Sequence, residues 1–115
     1  MIKNAADLQK EYREHMRGGD GTVEITNFAT PAELNDKGRL FARITLKPGC
    51  SIGYHVHEKD SELFYLIQGQ ALYNDNGTEY TVRSGDVMIC PAGTGHAVAN
   101  QGEEDVEICA VIIYA

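Results

Sequence analysis

Tyr54-His55-Val56-His57-Glu58-Lys59-Asp60-Ser61-Glu62 is the stretch whose reading decides the fold. His55 and His57 stand two apart. Successive side chains of a strand leave opposite faces, so both imidazoles leave the same one. Beyond a polar turn, Glu58 to Ser61, Glu62 opens an apolar run with its own side chain able to face the histidines. A fourth candidate lies far down the chain, where His96 follows the turn-rich Cys90-Pro91-Ala92-Gly93-Thr94-Gly95 and opens an alternating run through Val98. Three neutral imidazoles and a carboxylate form a sensible set for one divalent transition metal, with Mn, Fe, Co, Ni, Cu and Zn all compatible. Buried in an apolar interior without a cation, the same four groups would be costly.

The spacing extends beyond these four residues. Gly49, five residues, His55, one, His57, four, Glu62, six and Gly69 form one motif. Gly85, five residues, Pro91, one, Gly93, two, His96, three and Asn100 form a second, and fifteen residues separate the two. On both motifs the chain resembles the cupins, in particular the small single-domain microbial ones. The resemblance implies an all-β fold, a double-stranded β-helix or jelly-roll barrel with six to eight core strands and a metal inside. It does not imply one reaction, because a fold hosts many chemistries.

The flanking sequence reads compatibly. Residues 4–17 are expected to form a short helix with Asn4 as N-cap, Leu8, Tyr12 and Met16 on one side, His15 and Arg17 near its C-terminus, and Gly18-Gly19 ending it. The expected organisation is an arm over residues 1–20 packed on a barrel over residues 21–115. Val23 and Ile25 mark a half-buried strand, and Pro31 to Lys37 a polar or single helical turn. Leu40, Ala42, Ile44 and Leu46 alternate with Arg39, Phe41, Arg43, Thr45 and Lys47, with the apolar set expected inside. After Glu62, Phe64 and Leu66 share its face, whereas Leu63, Tyr65 and Ile67 share the other. A sheet apolar on both sides needs two covers, the barrel interior and either the helix or a second subunit. Asp75-Asn76-Gly77 signals a hairpin between Gln70–Asn74 and Thr78–Arg83. A further strand runs from Gly85 to Cys90, and Val106 to Tyr114 reads as a closing strand buried on both faces. The pattern amounts to about nine short strands with turns between them, an all-β barrel or sandwich.

Composition limits the partners. The 115 residues suit one domain able to bury its own core, and no apolar run is long enough to cross a bilayer as a helix. The N-terminal residues show no export signal, so a cytoplasmic address is expected. A net charge of -7 argues against binding nucleic acid or an anionic membrane. Cys50, Cys90 and Cys109 include no CxxC pair and read as small buried hydrophobes, with Cys50 or Cys90 near enough the pocket to be considered as a soft extra ligand.

Two classes of function follow. Four protein ligands leave a six-coordinate ion two open positions, and a divalent ion with one carboxylate keeps a positive charge that welcomes an anionic oxygen ligand. Similar cupins include dioxygenases, oxalate oxidases and decarboxylases, and sugar isomerases. The resemblance therefore implies an oxidoreductase or isomerase in which Glu62 also trades its metal bond for a proton. The alternative is a non-catalytic module that binds or senses a sugar or carboxylate through the metal. A separate acid or base beside the open positions would discriminate them, and Tyr54, Tyr73, Arg43 and Glu107 are polar groups expected to face solvent. A homodimer through the apolar outer strands is the expected assembly.

Overall fold

A computed structural model describes all 115 residues. Ten strands form two antiparallel sheets: β1 (Lys10–Glu14), β2 (Thr22–Asn27), β3 (Gly38–Leu46), β4 (Ser51–His57), β5 (Asp60–Gln68), β6 (Gln70–Asp75), β7 (Thr78–Arg83), β8 (Val87–Cys90), β9 (Thr94–Ala99) and β10 (Val106–Tyr114). One sheet has the order β1-β2-β3-β10-β5-β8, the other β4-β9-β6-β7. They face each other as a double-stranded β-helix. Period-two patterning dictates what lies between them: Ile44 and Leu46 of β3, Phe64 and Leu66 of β5, and Ile108 and Ala110 of β10 are buried in one cluster. Each large aliphatic group there contributes roughly 1.5–3 kcal/mol by leaving water. Register matches volume across the strands, for Ala110 lies opposite Ala42 on one side and Phe64 on the other. The bulky ring thus has the small Ala110 on one side and the flexible Met88 on the other.

The β6–β7 hairpin forms where Asn-Gly places it. Asn76 and Gly77 have φ of 51° and 104°, the doubly positive pair that a two-residue turn between twisted strands requires. The turn between β4 and β5 is shorter than the sequence suggests. Asp60 and Ser61 already belong to β5, and Asp60 is buried.

The expected N-terminal helix is absent. Residues 5–7 and 16–18 form single 3-10 turns, and between them β1 pairs with β2 over five positions. Asn4 makes no side-chain cap. A helix of that length is marginal alone, whereas the open edge of β2 offers a row of backbone partners that decides the conformation. The correction changes what is covered. β1 lies at the far edge of its sheet from β5 and β8, so Tyr65, Ile67, Val87 and Ile89 stay exposed on the outer face. β10 is likewise buried on one face only: Val106, Ile108, Ala110 and Ile112 point inward, and Ile113 is exposed. No helix is long and apolar enough to cross a membrane.

Candidate metal centre

Both sheets contribute to one cluster. β4 presents His55 and His57, β9 presents His96 directly opposite His55, and β5 brings Glu62 from the facing sheet. The ligand atoms of all four residues lie within 4.8 Å of one another. His57, Glu62 and His96 are buried, while His55 is half-buried. The chain therefore assembles the four sequence candidates at a single point able to hold a metal ion.

The outer nitrogens fix the direction of each ring. His55 Nδ1 is 2.8 Å from the Gly53 carbonyl and His57 Nδ1 2.7 Å from Asp60 Oδ1. Both partners can only accept, so both nitrogens carry the proton and donate it, leaving Nε2 free for a metal. His96 Nδ1 lies 2.9 Å from the Tyr73 hydroxyl and completes the pattern. Phe64 stacks on the His96 ring with centroids 5.1 Å apart.

The inner atoms of three of the four candidates, His57, Glu62 and His96, pass a quantitative test. His57 Nε2 is 3.1 Å from both Glu62 Oε1 and His96 Nε2, and His96 Nε2 is 3.0 Å from the same carboxylate oxygen. Ligands at about 2.1 Å and right angles are separated by about 3.0 Å, whereas tetrahedral ligands at that radius stand about 3.4 Å apart. The three edges fit one face of an octahedron. Two imidazole lone pairs and a carboxylate at this spacing also demand a cation or shared protons, which fits the donor set to a divalent transition metal.

Protonation equilibria respond to the same packing. The hydrogen bond to Glu62 is the main cause holding the His57 imidazolium above its ordinary range, with Asp60 adding to it against burial. Burial chiefly pushes His55 down. For Glu62 burial is the largest single influence and acts upward, but His57 and His96 together outweigh it, so the carboxyl lies below the usual range. Asp60 behaves likewise: burial acts upward, and Arg39 and His57 bring it down.

A cavity of about 50 Å3 opens on the His55, His57 and Glu62 side. Its walls include Ile25, Leu40, Ile44, Ile52 and Ile112, and Arg13, Arg17 and Arg39 line it as well. Sequence reasoning missed these arginines, as well as Asp60. The separation of His57 and Asp60 across a tight turn is the one local signal that points to their contact. Tyr73, expected at the surface, is buried on His96. Tyr54 is 47% exposed and lies against Gly95; Arg43 sits over the Phe28 ring at 5.8 Å, and Glu107 accepts from Thr45 Oγ1 at 3.4 Å. None of these three lines the cavity. The cysteines are free thiols outside both the ligand group and the cavity lining, and burial pushes the Cys90 and Cys109 thiols up.

Arg39 Nε reaches Asp60 Oδ2 at 2.8 Å, so a guanidinium–carboxylate–imidazole chain supports His57 from behind. Asp60→Asn is expected to weaken metal binding by about 10- to 100-fold, the usual effect of losing such support, with the ligands themselves intact. Competition against a chelator of known affinity measures this, and an unchanged affinity would reduce Asp60 to a fold-stabilising group.

Comparison with known proteins agrees with this architecture. Residues 42–113 match the cupin domain family. An oxalate-binding protein of Thermotoga maritima is 37% identical over 113 residues, which span 98% of this chain and 93% of that protein. A crystal structure described as a predicted oxalate decarboxylase from the same organism superposes over the full length of both chains with a TM-score of 0.95 at 36% identity. The cupin domain of Schizosaccharomyces pombe Cnp3 aligns with a TM-score of 0.74 at 13% identity, covering 91% of this chain and 69% of that one, a likeness of fold alone.

Proposed function

This chain belongs to the cupin family, and from that premise we propose that it holds one divalent transition metal among His55, His57, Glu62 and His96 and uses it to bind a small carboxylate dianion of the oxalate class. The observation that carries the reading is the convergence of the four donors, three of which (His55, His57 and Glu62) line a cavity that three arginines also line. When bound, the ion supplies Lewis-acid polarisation of the ligand's oxygens. Glu62 cancels one of its charges and leaves a net positive floor. The isoleucine and leucine walls exclude water and so strengthen every charge interaction inside. A cavity of about 50 Å3 favours a short acid over a sugar acid. The likeness to an oxalate-binding protein supports the same ligand class.

A second reading, turnover, is favoured by the likeness to a structure described as a predicted oxalate decarboxylase. In it, the bound oxalate dianion loses its C–C bond and takes up one proton to give carbon dioxide and formate. Glu62, the one carboxylate lining the cavity, carries the proton that takes the place of the departing carbon dioxide. No second acid or base lines the cavity, which supports capture as the primary role. Elemental analysis followed by calorimetric titration with oxalate and a formate assay on the same sample separates these outcomes. Oxalate binding without formate supports capture and formate production supports turnover, while failure of the metal-loaded protein to bind oxalate would overturn both.

The uncovered outer face leads to a further expectation. Tyr65, Ile67, Val87 and Ile89 form an apolar surface that pairing with a second copy would bury. Sedimentation is expected to show twice the 12.6 kDa chain mass, and Ile89→Glu to shift the protein towards monomer. A native monomer would remove the dimer.

A further inference from the structure

The three cavity arginines are not equivalent. Arg39 is committed to Asp60 at 2.8 Å, and Arg13 Nη2 lies 3.0 Å from Glu11 Oε1. Arg17 makes no ion pair and no side-chain hydrogen bond, yet it lines the same cavity as His55 and Glu62. It is the one guanidinium there whose charge is unspent within the chain. All three arginines lie outside residues 42–113, the span that matches the family, so this cationic rim is supplied by the N-terminal segment and β3.

The backbone holds Arg17 in place at a cost. Its φ of 55° and ψ of 29° are left-handed, as is His15 at φ 49°, and neither residue is glycine. Such conformations cost on the order of 1 kcal/mol or more each and persist only where surrounding contacts over-determine them. Those contacts are present. A Cβ on Gly53 would collide with the Arg17 carbonyl, and one on Gly19 with the Ser51 carbonyl, so the two backbones interlock without side chains between them. The Asp20 N–H donates to Ser51 Oγ at 2.8 Å, and the Ser51 N–H donates to the Asp20 carbonyl at 2.9 Å. Gly53 thus touches both ends of the site. Its Cα abuts the backbone of Arg17, and its carbonyl accepts from His55 Nδ1. The Arg17 backbone is thereby stapled to the strand that carries the candidate metal ligands.

Building on the metal-anchored site described above, we propose that Arg17 is the specificity determinant for doubly charged ligands, pairing with the carboxylate that the metal does not neutralise. The charge count requires such a group. A divalent ion with Glu62 retains one positive charge, which balances the first carboxylate of the ligand. The second carboxylate enters a cavity whose other two arginines are already paired, and Arg17 meets it.

Oxalate and oxamate provide the test, since they share size and planarity and differ by one negative charge. Both are titrated calorimetrically into manganese-loaded native, R17Q, R17M and R17K proteins, with each titration normalised to bound metal. Native protein is expected to prefer oxalate by at least about tenfold. Both charge-deleted variants should bind oxalate about 10- to 100-fold more weakly and oxamate within about threefold of native, the effect of removing one charge-assisted contact. R17K should recover part of the oxalate affinity through its charge, though not the geometry of the planar fork. If native protein binds oxalate and R17Q and R17M keep its full preference, Arg17 is not the selector and the metal-anchored reading stands. If native protein binds neither probe, that reading fails and takes this inference with it.

Discussion

His96→Ala is expected to drop bound metal from one ion per chain to under about a tenth of that, because the side chain removed is a buried donor with no nearby substitute. His96 is 1% exposed, and its Nε2 lies 3.0 Å from Glu62 and 3.1 Å from His57. Glu62→Ala should produce the same loss by removing the only anionic donor. Elemental analysis of protein purified without added metal measures both, and unchanged content in either variant would remove that residue from the site. Acid should reproduce the effect reversibly. Each ligating imidazole must be neutral, so protons compete with the ion. In the metal-free protein His57 takes a proton before His55 as pH falls, since its hydrogen bond to Glu62 raises its affinity for protons, whereas burial makes His55 resist.

The stability consequence has a definite sign. In the metal-free protein the raised His57 contributes stability below its ordinary value of 6.5, and that stability is lost as pH rises through its folded value. The lowered Glu62 contributes above 4.5, and its share is lost as pH falls through its folded value. The two contributions describe largely one interaction and are not added. Metal stabilises in the opposite direction to His57, more strongly as the imidazoles lose protons. The rise in melting temperature on adding metal should therefore grow between about pH 5 and about pH 8. A gain independent of pH would argue that the histidines do not hold the ion.

Phe64→Ala should be the most damaging single change to the barrel, at about 3–5 kcal/mol, because it combines lost burial with a cavity that the sheet cannot close. Phe64 is 2% exposed, sits in the row with Ala110 and Met88, and touches the rings of both Tyr73 and His96. Small neighbours on one side mean that no side chain can swing in to fill the void. The melting temperature should fall by about 15 °C or more, whereas Glu79→Ala, on an exposed position of β7, should leave it within a few degrees. The same variant tests whether core and site are one unit. Loss of the stacked ring frees His96, so metal affinity should fall as well. Native metal affinity in a destabilised Phe64→Ala protein would show that Tyr73 and the backbone alone position His96.

Much of this protein was legible in short stretches of the chain because the relevant rules are local. Strand alternation put His55 and His57 on one face, and placed Leu40, Ala42, Ile44 and Leu46 inward. The Asn76-Gly77 pair determined its own turn, because positive φ is cheap there. The spacing around Glu62 and His96 pointed to a shared site even though two sheets had to close before the donors met. Tertiary structure decided what depends on partners distant in sequence. Residues 4–17 carry an apolar period through Leu8, Tyr12 and Met16 that suits a helix, but over Lys10–Glu14 the free edge of β2 competes for the same backbone and prevails. Asp60 reads as a turn residue until the fold brings it to His57 and Arg39, and Tyr73 reads as a surface group until His96 is opposite it. Arg17 has no local signature at all. Its position over the cavity comes from the backbone contact between the segment before β2 and Gly53, a contact that exists only once both have folded onto the same barrel end. Periodicity can state which face a side chain leaves by; what waits on that side is settled by the packing of the other strands.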